Sequence, residues 1–283
     1  MSEDCQRDEQ FVVTETLTAL TSNYTVEPVK CNGDKTGKIT ITASGGTGVI
    51  KYAIEPHLDQ FMDSGVFDGL VAGTYTVLIQ DILGCINTHE ITVDQPGILI
   101  AYEVPNSMVP EICKGDKDGA FSIEISGGTG PYFASLDNEK GPFVPVNGTT
   151  VDYTGLSGGV HTVYVRDTNL CSIPVQVNMP EPVVLDPKAE VKYDCVNNLQ
   201  SNMVIVTIDA SNTNPADVDY SLDNNGTYQP SNIFTNVAPG PHFIVARHTN
   251  GCEVPTETFT IDAVAELDLV DVTNSSKDIN ILE

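Results

Sequence analysis

The chain has 283 residues, 13 basic against 39 acidic side chains, and a formal net charge of −26. Charge of that sign excludes recognition of nucleic acid through its phosphates and attraction to an anionic membrane surface, and it leaves carboxylates for hard cations such as calcium. Hydrophobic residues are 40 % and charged residues 18 %, a folded composition with no apolar run long enough for a bilayer, and the length suits about three β-sandwich domains of ~100 residues.

In chain order, Met1-Ser2-Glu3-Asp4 is acidic and unlike a signal peptide. Residues 1–20 read as the last strand of a truncated preceding repeat, Cys5 followed by Glu9 to Glu15. Repeat 1 is expected at 21–96. A strand near Tyr24 to Val29 leads to the turn Cys31-Asn32-Gly33-Asp34-Lys35-Thr36-Gly37. Lys38 to Thr42 alternates polar and apolar residues, as a half-buried strand does. Gly45-Gly46-Thr47-Gly48 is a turn requiring positive φ. A strand with Tyr52 and Ile54 follows, then Gly73 to Asp81 and Gly84-Cys85.

Repeat 2, expected at 97–181, matches these elements through Cys113 to Gly119, Phe121 to Ile125, Gly127 to Tyr132, Gly159 to Asp167 and Cys171. Repeat 3, expected at 182–262, has drifted. It keeps Cys195, Val204 to Ile208, Tyr220 to Asp223, Gly240 to His248 and Cys252, but Ser211 to Pro215 replaces the double-glycine turn. Glu266 to Val272 reads as the first strand of a following repeat, within 263–283. Both ends therefore look cut from a longer chain.

Cys31, Cys113 and Cys195 recur at 82 residues each time (113 − 31 and 195 − 113). A fixed period of that size marks a repeat array. Short strands with turn signals between them, and no helical period, predict an all-β chain. The expected fold is tandem immunoglobulin-like antiparallel β-sandwich repeats of about 82 residues, arranged as an elongated rod. Leu70 to Tyr75 has the form of the tyrosine corner of such sandwiches, with Tyr75 as its structural residue. His161 and His242 take the tyrosine's place in the later copies, which puts the corner hydrogen bond in doubt there.

The combined pattern resembles the SprB repeat of giant cell-surface adhesins from gliding Bacteroidetes. It consists of a cysteine and glycine turn, Gly-Gly-Thr, Gly-x-Tyr-x-Val-x-Val-x-Asp, Gly-Cys and a closing Glu/Gln-Pro. Repeat 1 carries it through Gly45 to Thr47, Gly73 to Asp81, Gly84-Cys85 and Gln95-Pro96. Repeat 2 has Leu170 where the glycine before the cysteine belongs, and repeat 3 has His248 where the aspartate belongs. The resemblance implies an exported stalk attached at the outer-membrane surface, sent out by type IX secretion and serving gliding motility or attachment. It implies no enzyme activity. The implied partners are neighbouring repeats of the same chain, a surface polysaccharide or a cell-surface motility partner. A glycan- or protein-binding module of an exported protein is the alternative.

No catalytic residues emerge. None of His57, His89, His161, His242 and His248 sits in a catalytic or metal-ligand spacing. The chain has no Trp, and its Tyr and Phe are expected mostly in the core. Asp116, Asp118 and Asp34 are candidate calcium ligands in glycine turns, the only cofactor chemistry suggested, though short of a full calcium loop.

The seven cysteines lack Cys-x-x-Cys spacing and suggest an oxidising compartment. Pairing within repeats would give Cys31–Cys85, Cys113–Cys171 and Cys195–Cys252. In an immunoglobulin-like sandwich, however, the two cysteines of a repeat lie at opposite ends. A strand of about eight residues separates those ends by ~25 Å, against the roughly 4.4–6.8 Å between Cα atoms that a disulfide tolerates. That favours pairing between repeats, Cys31–Cys171 and Cys113–Cys252, with Cys5, Cys85 and Cys195 awaiting other partners. Free thiols are the third alternative.

Overall fold

The structure is a computed structural model that describes residues 18–196, 199–208 and 213–263. The expected partial repeat around Cys5, the segment Ser211-Asn212 and the expected strand Glu266 to Val272 lie outside the described residues.

Repeat 1 contributes β1 (Thr21–Glu27), β2 (Gly37–Ser44), β3 (Lys51–Ile54), β4 (Val66–Leu70), β5 (Gly73–Gln80) and β6 (Ile86–Val93). They pair as β1-β2-β4 and β3-β5-β6, antiparallel throughout. Lettered as in an immunoglobulin domain, this is A-B-E on one sheet and C-F-G on the other. Alternation puts Ile39 and Ile41 of β2 and Phe67 of β4 into one apolar cluster with Val77, Ile79, Ile91 and Val93 of β5 and β6. β1 stops at Glu27 because Pro28 cannot donate to the ladder.

Repeat 2 repeats the plan. Its strands are β7 (Gly97–Glu103), β8 (Gly119–Gly128), β9 (Phe133–Leu136), β10 (Val144–Pro145), β11 (Thr150–Leu156), β12 (Gly159–Arg166) and β13 (Ser172–Met179). The sheets are β11-β8-β7 and β10-β9-β12-β13, the two-residue β10 extending the second.

Repeat 3 has β14 (Pro187–Val196), β15 (Leu199–Ile208), β16 (Val218–Leu222), β17 (Ile233–Thr235), β18 (Gly240–His242), β19 (Ile244–His248), β20 (Glu253–Pro255) and β21 (Phe259–Ile261). The plan holds in β14-β15-β17 and β16-β19-β20. The strand read as continuous from Gly240 to His248 is broken at Phe243, and its first piece pairs separately as β18-β21. At the break, Ile244 donates its N–H to Thr256 Oγ1 instead of a ladder carbonyl. A three-residue 3₁₀ turn, Pro215–Asp217, is the only helical element among the described residues.

Packing divides the chain differently from the repeats. One compact unit takes residues up to Ser107 with Phe121–Tyr153 and Val160–Asn178. The other takes Met108–Ala120, Thr154–Gly159 and the residues from Met179 on. The loop between β7 and β8 therefore packs with repeat 3. In that second unit Lys114 N–H bonds Val183 O at 3.0 Å, and Cys113 forms a parallel bridge with Val183.

Candidate functional site: the cysteine-bearing turns

Repeats 1 and 2 place the turn after the F strand where a buried side chain holds it, and repeat 3 uses a half-buried one. In repeat 1 that side chain is Asp81, directly after β5. Its Oδ1 accepts the N–H groups of Leu83 (3.0 Å) and Cys85 (2.8 Å), and its Oδ2 accepts that of Thr47 (3.0 Å). Asp167 repeats this with Asn169 and Cys171, both at 2.9 Å, and with Thr129 at 2.9 Å. One carboxylate thus shapes the cysteine turn and ties it to the Gly-Gly-Thr turn of the other sheet. Loss of hydration alone would raise the Asp81 carboxyl. The amides of Thr47, Cys85 and Leu83 outweigh it and hold the group below the ordinary aspartate value.

The double glycine is needed for this approach. Gly127 and Gly128 have φ of 70° and 59°; a Cβ on Gly128 would lie 2.9 Å from Asp167 Oδ2, and one on Gly127 would lie 1.8 Å from Ile98 O of β7. Leu170 departs from the glycine pattern and still adopts φ 69°, the left-handed conformation that Gly84 and Gly251 take in the other turns. In repeat 3, His248 takes the aspartate's place. Its Nδ1 accepts the Asn250 N–H (3.1 Å), and Asn250 Oδ1 accepts that of Cys252 (3.0 Å).

The cysteines of these turns reach the first turn of the preceding repeat. Cys31 is bonded to Cys171, with 5.7 Å between Cα atoms, inside the first unit. Cys113 is bonded to Cys252, at 5.1 Å, inside the second. An asparagine beside each bond reinforces it. Asn169 Nδ2 donates to Lys30 O (3.0 Å), and Asn250 Nδ2 donates to Ile112 O (3.3 Å). The acceptor is in each case the residue before the first-turn cysteine. The pairings Cys31–Cys85, Cys113–Cys171 and Cys195–Cys252 are not formed, since Cys31, Cys113, Cys171 and Cys252 are otherwise engaged and Cys85 is an exposed free thiol. Cys5 lies outside the described residues, as does the side chain of Cys195.

Tyr75 and His242 fill the corner through different chemistry. Tyr75 Oη donates to Val71 O at 2.9 Å, the tyrosine corner itself. His242 reaches the same carbonyl, four residues back, from Nε2 to Ala238 O at 2.8 Å. The doubt raised by the tyrosine-to-histidine change is therefore removed at His242. His161 Nδ1 lies 2.7 Å from Asp137 Oδ2, and His242 Nδ1 lies 2.7 Å from Asp223 Oδ2. Both partners of His242 are acceptors, a carbonyl and a carboxylate, so only an imidazolium satisfies both. The hydrogen bond to Asp223 raises its pKa above the ordinary histidine value.

A raised folded pKa gives stability that is complete below the unfolded value of about 6.5 and is lost as pH rises through the folded value. The chain should therefore melt at a lower temperature at about pH 9 than at about pH 5.5, and His242→Gln should shrink that difference. Differential scanning calorimetry across the pH range reads it directly.

Sequence reasoning missed Glu111. It stands where repeat 1 has the core residue Val29 (111 − 82), yet it is only 4 % exposed. Its Oε1 accepts Gly115 N–H (2.9 Å) and Lys117 N–H (3.0 Å), and its Oε2 accepts Gly158 N–H (2.8 Å). Burial alone would raise it, but the three amides outweigh burial and lower it. A charge at a period-equivalent core position was the available signal.

The candidate calcium ligands are not gathered. Asp34, Asp116 and Asp118 are exposed, and Asp118 Oδ1 accepts Ile112 N–H at 3.1 Å. Among the described residues no three carboxylate, histidine or cysteine side chains are grouped to hold a metal. The aromatics are also less uniformly internal than expected. Phe121 and Tyr220 are buried, but Tyr24, Tyr102 and Tyr193 are exposed.

Comparison with solved structures aligns the chain with several proteins at low identity. The three N-terminal domains of the outer capsid protein Hoc of bacteriophage RB49 share 10% identity, covering 87% of this chain and 99% of that one, with a TM-score of 0.33. A structure described as that of a 1.5-MDa bacterial ice-binding adhesin shares 13%, covering 86% and 97%, with a TM-score of 0.34. The N-terminal eight Ig domains of Down Syndrome Cell Adhesion Molecule share 15%, covering 80% and 34%, with a TM-score of 0.29. No curated protein matches the sequence. The family model described as SprB repeat matches twice, each time across the first turn, the Gly-Gly-Thr turn and the third strand. The two matched stretches, residues 23–57 and 106–139, are similar to the SprB repeat.

Proposed function

We propose that this chain is a load-bearing stalk segment of a large secreted cell-surface adhesin. The observation that carries the reading is the repeated tie between successive repeats, Cys31–Cys171 with its Asn169 bond and Cys113–Cys252 with its Asn250 bond. Without the tie, tension would pass from one repeat to the next only through linkers such as Asp94-Gln95-Pro96. With it, part of the load bypasses the linker through a covalent bond. Two disulfides also suit an oxidising, extracellular setting. The SprB repeats support surface attachment or gliding as the setting, with type IX secretion and outer-membrane anchoring as its route and place.

The test is small-angle X-ray scattering of the oxidised fragment, with a glycan array alongside. A stalk gives an elongated particle that binds nothing on the array. A globular particle overturns the reading, and specific glycan capture replaces it with the binding-module alternative.

A further inference from the structure

The turn between β5 and β6 is built like the two turns that hold a disulfide to a preceding repeat. In all three the cysteine carbonyl accepts the N–H of the residue that ends the F strand, from Asp81 (3.1 Å), Asp167 (3.0 Å) and His248 (2.8 Å). The N–H before each cysteine bonds back to that same residue's carbonyl, from Gly84, Leu170 and Gly251. In the second and third copies the cysteine and its neighbouring asparagine are occupied by a first turn. In the first copy Cys85 is free and exposed.

The surroundings of Cys85 also differ. Leu83 stands where the other turns have Asn169 and Asn250. Ile82 is 71% exposed, Leu83 62%, Ile86 56% and Val49 60%. Apolar side chains gathered at one exposed site mark a contact surface. A thiol at the position that is bonded in both other copies, within an apolar rim, is a socket for a like partner.

We infer that the Asp81–Cys85 turn docks, and forms a disulfide with, the first turn of another SprB-type repeat. The occupant presents a cysteine preceded by an apolar residue, as Ile112-Cys113 does, so that Leu83 meets a side chain instead of the carbonyl an asparagine would hold. The bond forms by thiol–disulfide exchange with a mixed disulfide on the partner cysteine. The Cys85 thiol gives its proton to solvent and its thiolate attacks the partner sulfur. The new S–S bond forms as the old one breaks, and the departing small-molecule thiolate takes the electron pair.

The probe is a peptide of residues 109–119 whose single cysteine carries a thionitrobenzoate leaving group, added to the full oxidised chain. Release of thionitrobenzoate gives the rate, and peptide mass spectrometry locates the product. Cys85 should capture this peptide roughly tenfold faster than a scrambled peptide of the same composition. Cys85→Ser should remove that phase. The double change Ile82→Asp and Leu83→Asp should bring the rate down to that of the scrambled peptide, while Cys85 still reacts normally with a small disulfide reagent. Equal rates for native and scrambled peptides at Cys85 would overturn the inference, as would undiminished capture by the double variant.

Discussion

Pulled by residues outside Cys31 and Cys252, the reduced chain should extend almost four times as far between those two cysteines as the oxidised chain. The backbone between them spans 221 residues (252 − 31), about 770 Å at ~3.5 Å per residue. With both disulfides intact the shortest covalent path runs from Cys31 to Cys171, back along the chain to Cys113, and across to Cys252. Only 58 residues (171 − 113) lie on that path, so it becomes taut at about 200 Å. Pairing within repeats would leave 52 residues on the path (113 − 85 and 195 − 171) and shorten it as much, so peptide mapping of the same sample assigns the shortening to the two overlapping loops. Single-molecule force extension with and without a reductant measures both lengths. Equal lengths under the two conditions would show that the ties are absent in solution.

The second large effect is expected at Asp167. Its carboxylate is fully buried and accepts three backbone N–H groups, those of Thr129, Asn169 and Cys171. Asp167→Ala leaves all three donors without their acceptor. At about 1–3 kcal/mol for each buried unsatisfied group, with partial rescue by water, the cost should be roughly 3–5 kcal/mol. Asp167→Asn keeps an oxygen for the two amides of the cysteine turn but turns an NH₂ towards Thr129, so it should cost roughly 1–3 kcal/mol. Urea unfolding of the two variants checks the order. The alanine variant should also oxidise Cys31–Cys171 more slowly after reduction, because the turn that presents Cys171 is no longer held. Equal stability of the two variants would mean that the side chain, not its individual acceptors, is what matters.

Much of this architecture was legible because local rules and the period agree. Alternation in Lys38 to Thr42 and the glycines at 45–48 and 127–130 needed only strand and turn chemistry. The tyrosine at 75 marked the corner because its reach to the fourth residue back is a local matter. The same locality explains why histidine can substitute. Nε2 of His242 spans the same four residues as the phenol, and Asp223 at the end of β16 orders the ring. That second partner could not be read beforehand, because β16 and the corner are brought together only by the β16–β19 ladder.

The sequence by itself determined the all-β class, the 82-residue period and the strand order within each repeat, because alternation, turn residues and spacing are properties of neighbours along the chain. Tertiary structure decided which cysteines meet; strand length read from the sequence favours the between-repeat pairs over the others. Candidate pairings in sequence became distinct only when strand length placed the two turns of one repeat at opposite ends. It also decided what Asp81, Asp167 and Glu111 do. A carboxylate earns burial when three amides converge on it; two come from its own turn, and the third comes from a turn 34, 38 or 47 residues away. Convergence from such distances is a property of the folded chain, so no local pattern announces it.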